Sequence, residues 1–246
     1  MLEGLRTAAA GMAAQQQKLD AVSNDLANAN TNGYKRVRVG FSDLMYTNAG
    51  RPAMDGKSQT GSGSRAVMGG RTFEQGGLSQ TGISTDVAIQ GAGFIKVKLS
   101  DGRDALTRDG NLRIDGMRRL TTASGGLVSP TITVPEGLAE DKLAIGKDGS
   151  VLANGRNIGK IALVNVRSPQ NLLSAGENAF VTTPRSGNAV AAPASTVLTQ
   201  GALESSNTDM ATAMTDMLEA QRTYQLTSKA IQTADQMMEI ANGVKR

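Results

Sequence analysis

The stretch MATAMTDMLEAQRTYQLTSKAIQTADQMMEIA, residues 210–241, decides the fold of one end of the chain. Five larger residues recur in it every seven positions: Met210, Met217, Tyr224, Ile231 and Met238. A smaller residue follows each of them three positions later: Ala213, Ala220, Thr227, Ala234 and Ala241. This heptad spacing predicts one long amphipathic helix with an apolar seam, and the small second set favours close approach of another helix.

Residues on either side of this stretch carry helix start and stop signals. Ser205-Ser206-Asn207 offers a cap, and Asp209 lies where the helix dipole favours an acidic side chain. Asn242-Gly243 marks the far end of the helix. We therefore assign residues 204–246 to a C-terminal helix.

A second heptad pattern lies at the other end of the chain. Its first position is occupied by Leu5, Met12, Leu19 and Leu26. Its second position is occupied by Ala8, Gln15, Val22 and Ala29. The pattern ends at Asn30–Gly33, where Asn-Gly supplies the left-handed backbone geometry that stops a helix. Residues 1–33 are therefore predicted to form an N-terminal helix.

Between residues 72 and 203, short apolar runs punctuated by turn dipeptides replace the helical periodicity. The hairpin-type signals are Asp101-Gly102, Asp109-Gly110, Asp115-Gly116, Asp148-Gly149 and Asn154-Gly155. Phe94–Leu99 alternates apolar and basic residues, as a half-buried strand does. We also predict a strand over Ile158–Val166, after the last turn. Three Pro residues within 168–200 predict loops and edge strands there. This region is predicted to be an all-β domain.

Residues 34–71 link the first helix to the β region. Arg36–Phe41 alternates as a strand does. Asn48–Ser64 is rich in Gly, Ser and polar residues, a composition that buries too little apolar surface to order itself. We expect a strand followed by a flexible or partner-ordered arm.

These segments predict an α+β fold in which the two heptad helices form a coiled-coil stem and an all-β domain is inserted between them. At ~1.5 Å per residue the helices are roughly 42 and 52 Å long, whereas the β domain is about 30 Å across. The β domain is therefore too short to bury the whole apolar seam of both helices, and other helices must cover the rest, which favours self-assembly. Head-to-tail contacts that do not close into a ring generate filaments. A compact helical bundle remains the alternative.

The composition argues against catalysis. The chain has no Cys and no His, so disulfides, thiolate sites and imidazole chemistry are excluded. We expect no catalytic residue, no cofactor and no bound metal. Gly91–Lys96 begins like a dinucleotide loop but lacks the third Gly, and we interpret it as a glycine turn.

The charge pattern indicates no nucleic-acid partner. The net charge is only +4, and the sequence contains no block of five or six like charges. We interpret the cluster Lys35, Arg36 and Arg38 as a solvated or inter-subunit basic face. No apolar run approaches the roughly 18 residues of a membrane span, and we expect no cleavable secretion signal at the N-terminus.

Three groups of motifs resemble the flagellar basal-body rod and hook family. Ser23–Arg36 resembles its N-terminal signature, and Glu204–Met217 with Gln221–Tyr224 resembles its C-terminal one. In the middle, the matching runs are Leu78–Thr81, Asp86–Ile89, Gly91–Phe94 and Thr107–Gly110. The resemblance covers nearly the whole chain.

The resemblance implies a subunit of the tubular rod that joins the rotary motor to the hook. It places the terminal helices in an inner tube and the β domain outside, and implies export to the basal body in the cell envelope. Implied partners are other copies of the chain, neighbouring rod and hook proteins, the type III export apparatus, and bushing rings where an outer membrane exists. The candidate assembly residues are Leu5, Met12, Leu19, Val22, Leu26, Asn28, Asn32, Gly33, Met210, Met217, Tyr224, Ile231 and Met238.

Several readings of this pattern remain open. Leu173–Asn178 and the Thr-Asn-Gly signature resemble distal rod members, whereas Thr131–Gly137 resembles the proximal rod, and a hook subunit is a further alternative. A secreted binding or adhesive protein would not need heptads at both ends. A carboxylate hydrolase would need a convergent pair such as Asp101 and Asp104.

Overall fold

The structure is a computed structural model that describes residues 2–44, 46–48, 59–137 and 142–243. Its contacts group the chain into two compact units. The helical unit comprises residues 1–27, 37–69 and 209–246, and the β unit comprises residues 28–36 and 70–208. Two terminal helices and a large β-rich region confirm the α+β class.

The helical unit contains both long helices. Helix α1 spans Leu2–Ala27 and helix α2 spans Met210–Gly243, and the two pack against each other. Four strands accompany them, β1 (Val37–Asp43), β2 (Tyr46–Asn48), β3 (Gln59–Gly61) and β4 (Ser64–Arg71). The last two residues of β4 fall in the β unit.

The strands of the helical unit form two ribbons. Strand β1 pairs with β4, in agreement with the strand predicted at residues 36–41. Strand β2 pairs antiparallel with β3, so the described flanks of the predicted flexible arm are strands. The middle of that arm, residues 49–58, lies outside the described residues.

The β unit carries the remaining strands. They are β5 (Leu78–Gln80), β6 (Val87–Gln90), β7 (Phe94–Lys98), β8 (Asp104–Thr107), β9 (Leu112–Ile114), β10 (Leu120–Thr122), β11 (Leu127–Val128), β12 (Leu143–Ile145), β13 (Ser150–Ala153), β14 (Arg156–Lys160), β15 (Leu163–Asn165), β16 (Leu173–Gly176), β17 (Ala179–Val181), β18 (Val190–Ala191), β19 (Val197–Gln200) and β20 (Ala202–Glu204). A short 3₁₀ turn spans Pro169–Asn171.

The largest sheet of the β unit has the order β16-β17-β8-β7-β11-β10-β9, and β15 joins it by pairing with β7 and β18. Smaller ladders are β12-β13-β14, β19-β6 and β20-β5. Every described ladder whose register is resolved is antiparallel, as expected for strands joined by short turns. The main core consists of buried Val, Ile, Leu and Ala side chains from these strands and from the segments that connect them.

Four of the five predicted turn dipeptides connect paired strands. Asp101-Gly102, Asp115-Gly116, Asp148-Gly149 and Asn154-Gly155 each join two antiparallel neighbours. At the last of these, both φ angles are positive, 52° and 80°, which is the two-residue hairpin turn that matches strand twist.

The prediction of a hairpin at Asp109-Gly110 is wrong. The flanking strands β8 and β9 pair with other partners. Gly110 lies directly against the backbone of Val87, whose N–H donates to the Gly110 carbonyl at 3.0 Å. A side chain at position 110 would overlap the Val87 carbonyl, so this glycine permits close approach of two backbones.

The prediction of one strand over Ile158–Val166 is also wrong. Strand β14 pairs with β13, whereas β15 pairs with β7 and β18. The chain changes sheets at Ile161, which is fully buried and whose N–H donates to the Gly149 carbonyl at 2.8 Å. Ile158 on β14 and Leu163 on β15 both pack against the main core, so apolar residues recur on each side of the change of sheet.

Candidate functional site

Among the helix residues whose side chains the structure describes, small residues are the most deeply buried apolar ones. They are Ala14 and Ala21 on α1, and Ala213 and Ala220 on α2, with exposures of 7% or less. Small side chains let helix axes approach closely. An ammonium–carboxylate contact reinforces the pair, because Lys18 Nζ lies 3.1 Å from Glu219 Oε2.

The larger predicted assembly residues of α1 are only partly covered. Leu5, Met12, Leu19, Val22 and Leu26 are all half-buried. Each residue turns a helix by about 100°, so a residue two positions before another lies on nearly the opposite side. Met12 and Leu19 therefore lie on nearly the opposite side of α1 from the buried alanines.

The predicted assembly residues of α2 are also incompletely covered. Met217, Ile231 and Met238 are half-buried, and Met210 and Tyr224 are exposed.

Further large apolar side chains on α2 are freely exposed. They are Met214, Leu218, Leu226, Met237 and Ile240, of which Leu226 retains 69% and Ile240 retains 67% of its accessible surface. In the single chain, the described part of the helical unit therefore leaves an extended apolar surface in water. Monomeric proteins seldom keep such a surface unless something binds it.

The remaining predicted assembly residues, Asn28, Asn32 and Gly33, belong to the β unit. Thr31 N–H donates to the Asn28 carbonyl at 3.0 Å, which closes a turn directly after α1. The Asn32 carbonyl accepts from Asn178 Nδ2 at 3.0 Å. These contacts fix the last part of the N-terminal signature, residues 28–33, within the β unit.

Gly33 is required by its surroundings. Its φ is +69°, a left-handed conformation that favours glycine. A Cβ added at this position would lie 2.7 Å from the backbone nitrogen of Asp109. Its N–H donates to the Glu204 carbonyl at 2.7 Å, which joins the two ends of the β unit.

A buried ionic cluster lies beside this contact. Glu204 Oε1 lies 2.6 Å from Lys35 Nζ, and Glu204 Oε2 lies 2.9 Å from Arg108 Nε. The side chains of Lys35 and Glu204 are completely buried, and that of Arg108 is 3% exposed. Gly76 N–H also donates to Glu204 Oε1 at 2.9 Å. One carboxylate therefore holds two buried cations.

Backbone carbonyls complete the coordination of both cations. Lys35 Nζ donates to the Glu74 carbonyl at 2.7 Å, and Arg108 Nη2 donates to the Gly91 carbonyl at 2.9 Å. Burial lowers the pKa of Lys35 below its ordinary value, against the opposing influence of Glu204. Buried charges persist only when they are paired and hydrogen-bonded in this way.

The interpretation of Lys35 as part of a solvated or inter-subunit basic face is wrong, because its ammonium group lies inside the β unit. Arg36 and Arg38 are exposed. Sequence reasoning also assigned no role to Arg108 or Glu204, although both lie in signature motifs. The available signal was the position of Glu204 directly after two apolar residues at the end of a strand.

The start of α2 differs from the predicted cap. Asp209 caps the helix, because its carboxylate accepts from Ala211 N–H and Thr212 N–H, both at 3.3 Å, and from the Thr212 hydroxyl. The hydrogen bond from Thr212 lowers the pKa of Asp209. Asn207 instead joins chain segments of the β unit: it accepts from Arg36 N–H at 2.8 Å and donates to the Thr72 carbonyl at 2.7 Å.

The described residues contain neither a candidate metal site nor a candidate membrane-spanning helix. Within the described ranges, no group of three or more acidic residues is arranged to hold a metal ion. None of the helices in that part of the chain is long and apolar enough to cross a membrane.

Comparisons with known protein families match three parts of the chain. Residues 5–35 match the family described as flagella basal body rod protein, and residues 88–153 match the flagellar hook protein FlgE/F/G D1 domain. Residues 199–244 match the flagellar basal body rod FlgEFG protein C-terminal family. The first and last matches cover the signature motifs, and the middle match covers much of the large sheet.

Full-length relatives extend these matches. The chain is 41% identical to the flagellar basal-body rod protein FlgG of Borreliella burgdorferi, with 100% of both chains covered. It is 36% identical to the protein of the same name from Caulobacter vibrioides, with 99% of this chain and 100% of the relative covered. The corresponding identity for Bacillus subtilis is 32%, with both chains fully covered.

Proposed function

This chain belongs to the family of flagellar basal-body rod proteins, and we propose that its terminal helices polymerise into a hollow helical tube that transmits torque from motor to hook. The protein is a structural subunit of the distal rod, located in the flagellar basal body of the cell envelope. The comparisons point to no catalytic family.

The observation that carries the proposal is the apolar surface that the helical unit leaves in water. Leu226 and Ile240 lie on α2 with about two thirds of their surface exposed. Burying one such side chain stabilises an assembly by roughly 1.5–3 kcal/mol, and the gain repeats in every subunit. Helices from neighbouring copies would cover this surface and complete a coiled-coil stem.

Close helix packing supports the mechanical role. Alanines at the contact between α1 and α2 leave little space between the helices. In a tube of such helices, bending or shearing would open voids or expose apolar seams, and close-packed interiors resist both. Head-to-tail contacts that do not close into a ring would extend the assembly along its axis.

The β unit would lie outside the tube and contact other parts of the basal body. Its neighbours would be adjacent rod and hook proteins, and bushing rings in hosts with an outer membrane. Delivery would use the flagellar type III export apparatus.

A charge placed on the exposed apolar surface tests the proposal. Leu226 is exposed in the single chain, so Leu226→Asp leaves the fold intact while making burial between copies unfavourable. We expect purified Leu226→Asp to stay monomeric by light scattering at concentrations where the unchanged protein forms rods in electron micrographs. Gln225→Asp, which adds the same charge at the adjacent exposed polar position, is the matched control and should assemble. Normal rods from Leu226→Asp would contradict the proposal.

A further inference from the structure

The ionic cluster draws its three charged groups from distant parts of the chain. Lys35 precedes the strands of the β unit, Arg108 follows β8 near its middle, and Glu204 ends β20. Lys35 and Glu204 are 169 residues apart, and Arg108 and Glu204 are 96 residues apart. Glu204, the carboxylate that contacts both cations, is therefore the last of the three to be made.

The apolar core of the β unit is complete before that carboxylate. All buried residues of both core clusters lie at or before Leu198. Hydrophobic burial alone would therefore allow a chain lacking residue 204 to collapse into its sheets.

The ion pair of Arg108 opposes such early folding. Arg108 directly follows β8, which lies between β17 and β7 in the large sheet. In the folded β unit its side chain is 3% exposed, and Glu204 supplies its counter-charge. Burying a cation without its partner is strongly unfavourable, because the lost hydration is not repaid.

We propose that Glu204 is a folding checkpoint: the β unit completes its fold only when the end of its sequence brings this carboxylate to Lys35 and Arg108. A chain that emerges with its N-terminus first keeps both cations in water until β20 pairs with β5. This role is independent of the assembly proposed above, since every group involved belongs to the β unit of one chain.

Refolding kinetics of the full-length protein test the checkpoint. Glu204→Gln removes the charge with little change of shape. If the carboxylate is needed to cross the folding barrier, the refolding rate falls on the order of a hundredfold while the unfolding rate changes less than about threefold. Both rates are measured by stopped-flow circular dichroism after urea dilution, at concentrations below assembly.

The matched control is Asp104→Asn, which neutralises a carboxylate 2.9 Å from Lys96 on the exposed side of β8. Both of its rates should stay within about threefold of the unchanged protein, because exposed ion pairs contribute little. Adding Lys35→Met to Glu204→Gln removes one unpaired cation and should restore the refolding rate at least about tenfold.

Two outcomes would overturn the checkpoint. The first is Glu204→Gln refolding as fast as the unchanged protein, with its stability lost through faster unfolding alone. The second is no recovery on adding Lys35→Met. If Glu204→Gln yields no folded protein, the same rate comparison is made between Lys35→Met and the double variant, and equal refolding rates there would refute the proposal.

Discussion

Gly33→Ala should destabilise the β unit strongly, because two separate constraints act on this residue. Its φ of +69° is unfavourable for alanine and costs roughly 1–2 kcal/mol. The new Cβ would also lie 2.7 Å from Asp109 N and 2.9 Å from Arg108 C, which are backbone atoms that cannot rotate away. Overpacking of this kind costs about 1–3 kcal/mol, so the sum is about 2–5 kcal/mol.

Gly102→Ala separates the two contributions. Gly102 has a comparable φ of +84°, but a Cβ there would meet no atom within 4 Å. Gly102→Ala should therefore lower the free energy of unfolding only by the cost of the backbone conformation, roughly 1–2 kcal/mol. The difference between the two variants isolates the contact between the N-terminal signature and the turn at Arg108-Asp109.

Urea unfolding followed by far-ultraviolet circular dichroism is the appropriate assay, because the chain has no Trp. The free energy of unfolding in water is extrapolated for both variants and the unchanged protein. Equal losses in the two variants, or a loss below about 1 kcal/mol for Gly33→Ala, would refute the steric argument.

Two further predictions concern α2. Ala220 is 1% exposed where α2 packs against α1, so Ala220→Leu should overpack this contact. We expect urea titration to show a free energy of unfolding lower by about 1–3 kcal/mol. The control Ala230→Leu, at an exposed position, should change that free energy by less than about 0.5 kcal/mol. Equal effects would show that α2 packs through another face. Asp209 has a lowered pKa, so its contribution to α2 is present above the ordinary carboxyl pKa and is lost as the pH falls through the lowered value. Asp209→Asn should remove this part of the pH dependence of helicity measured by circular dichroism, and an unchanged acid profile would contradict the capping role.

The secondary structure was predictable because its signals are local. Seven-residue spacing identified both helices, and Asn154-Gly155 identified a hairpin from its own dihedral preferences. The same dipeptide logic failed at Asp109-Gly110, where the glycine is needed by Val87 on another strand. A turn dipeptide shows which backbone conformations its residues can adopt. It does not show which distant segment of the chain packs against them.

The candidate site was predictable only in part. The heptads pointed to large apolar residues such as Leu19 and Ile231, which are half-buried in the single chain. Sequence alone could not tell that Ala14 and Ala21 would be buried apolar positions of α1, because they lie outside the predicted seam. Which side of a helix faces its neighbour depends on the packing of the whole unit.

By itself, the sequence determined the two long helices and most of the hairpin turns, that the ends are apolar and repetitive, and that imidazole and thiol chemistry are absent. Only the tertiary structure decided that Lys35 and Arg108 share Glu204 inside the β unit. The physical reason is distance along the chain. Periodicity and turn preference act over a few residues, whereas a buried charge is tolerated only when folding brings its partner from far away.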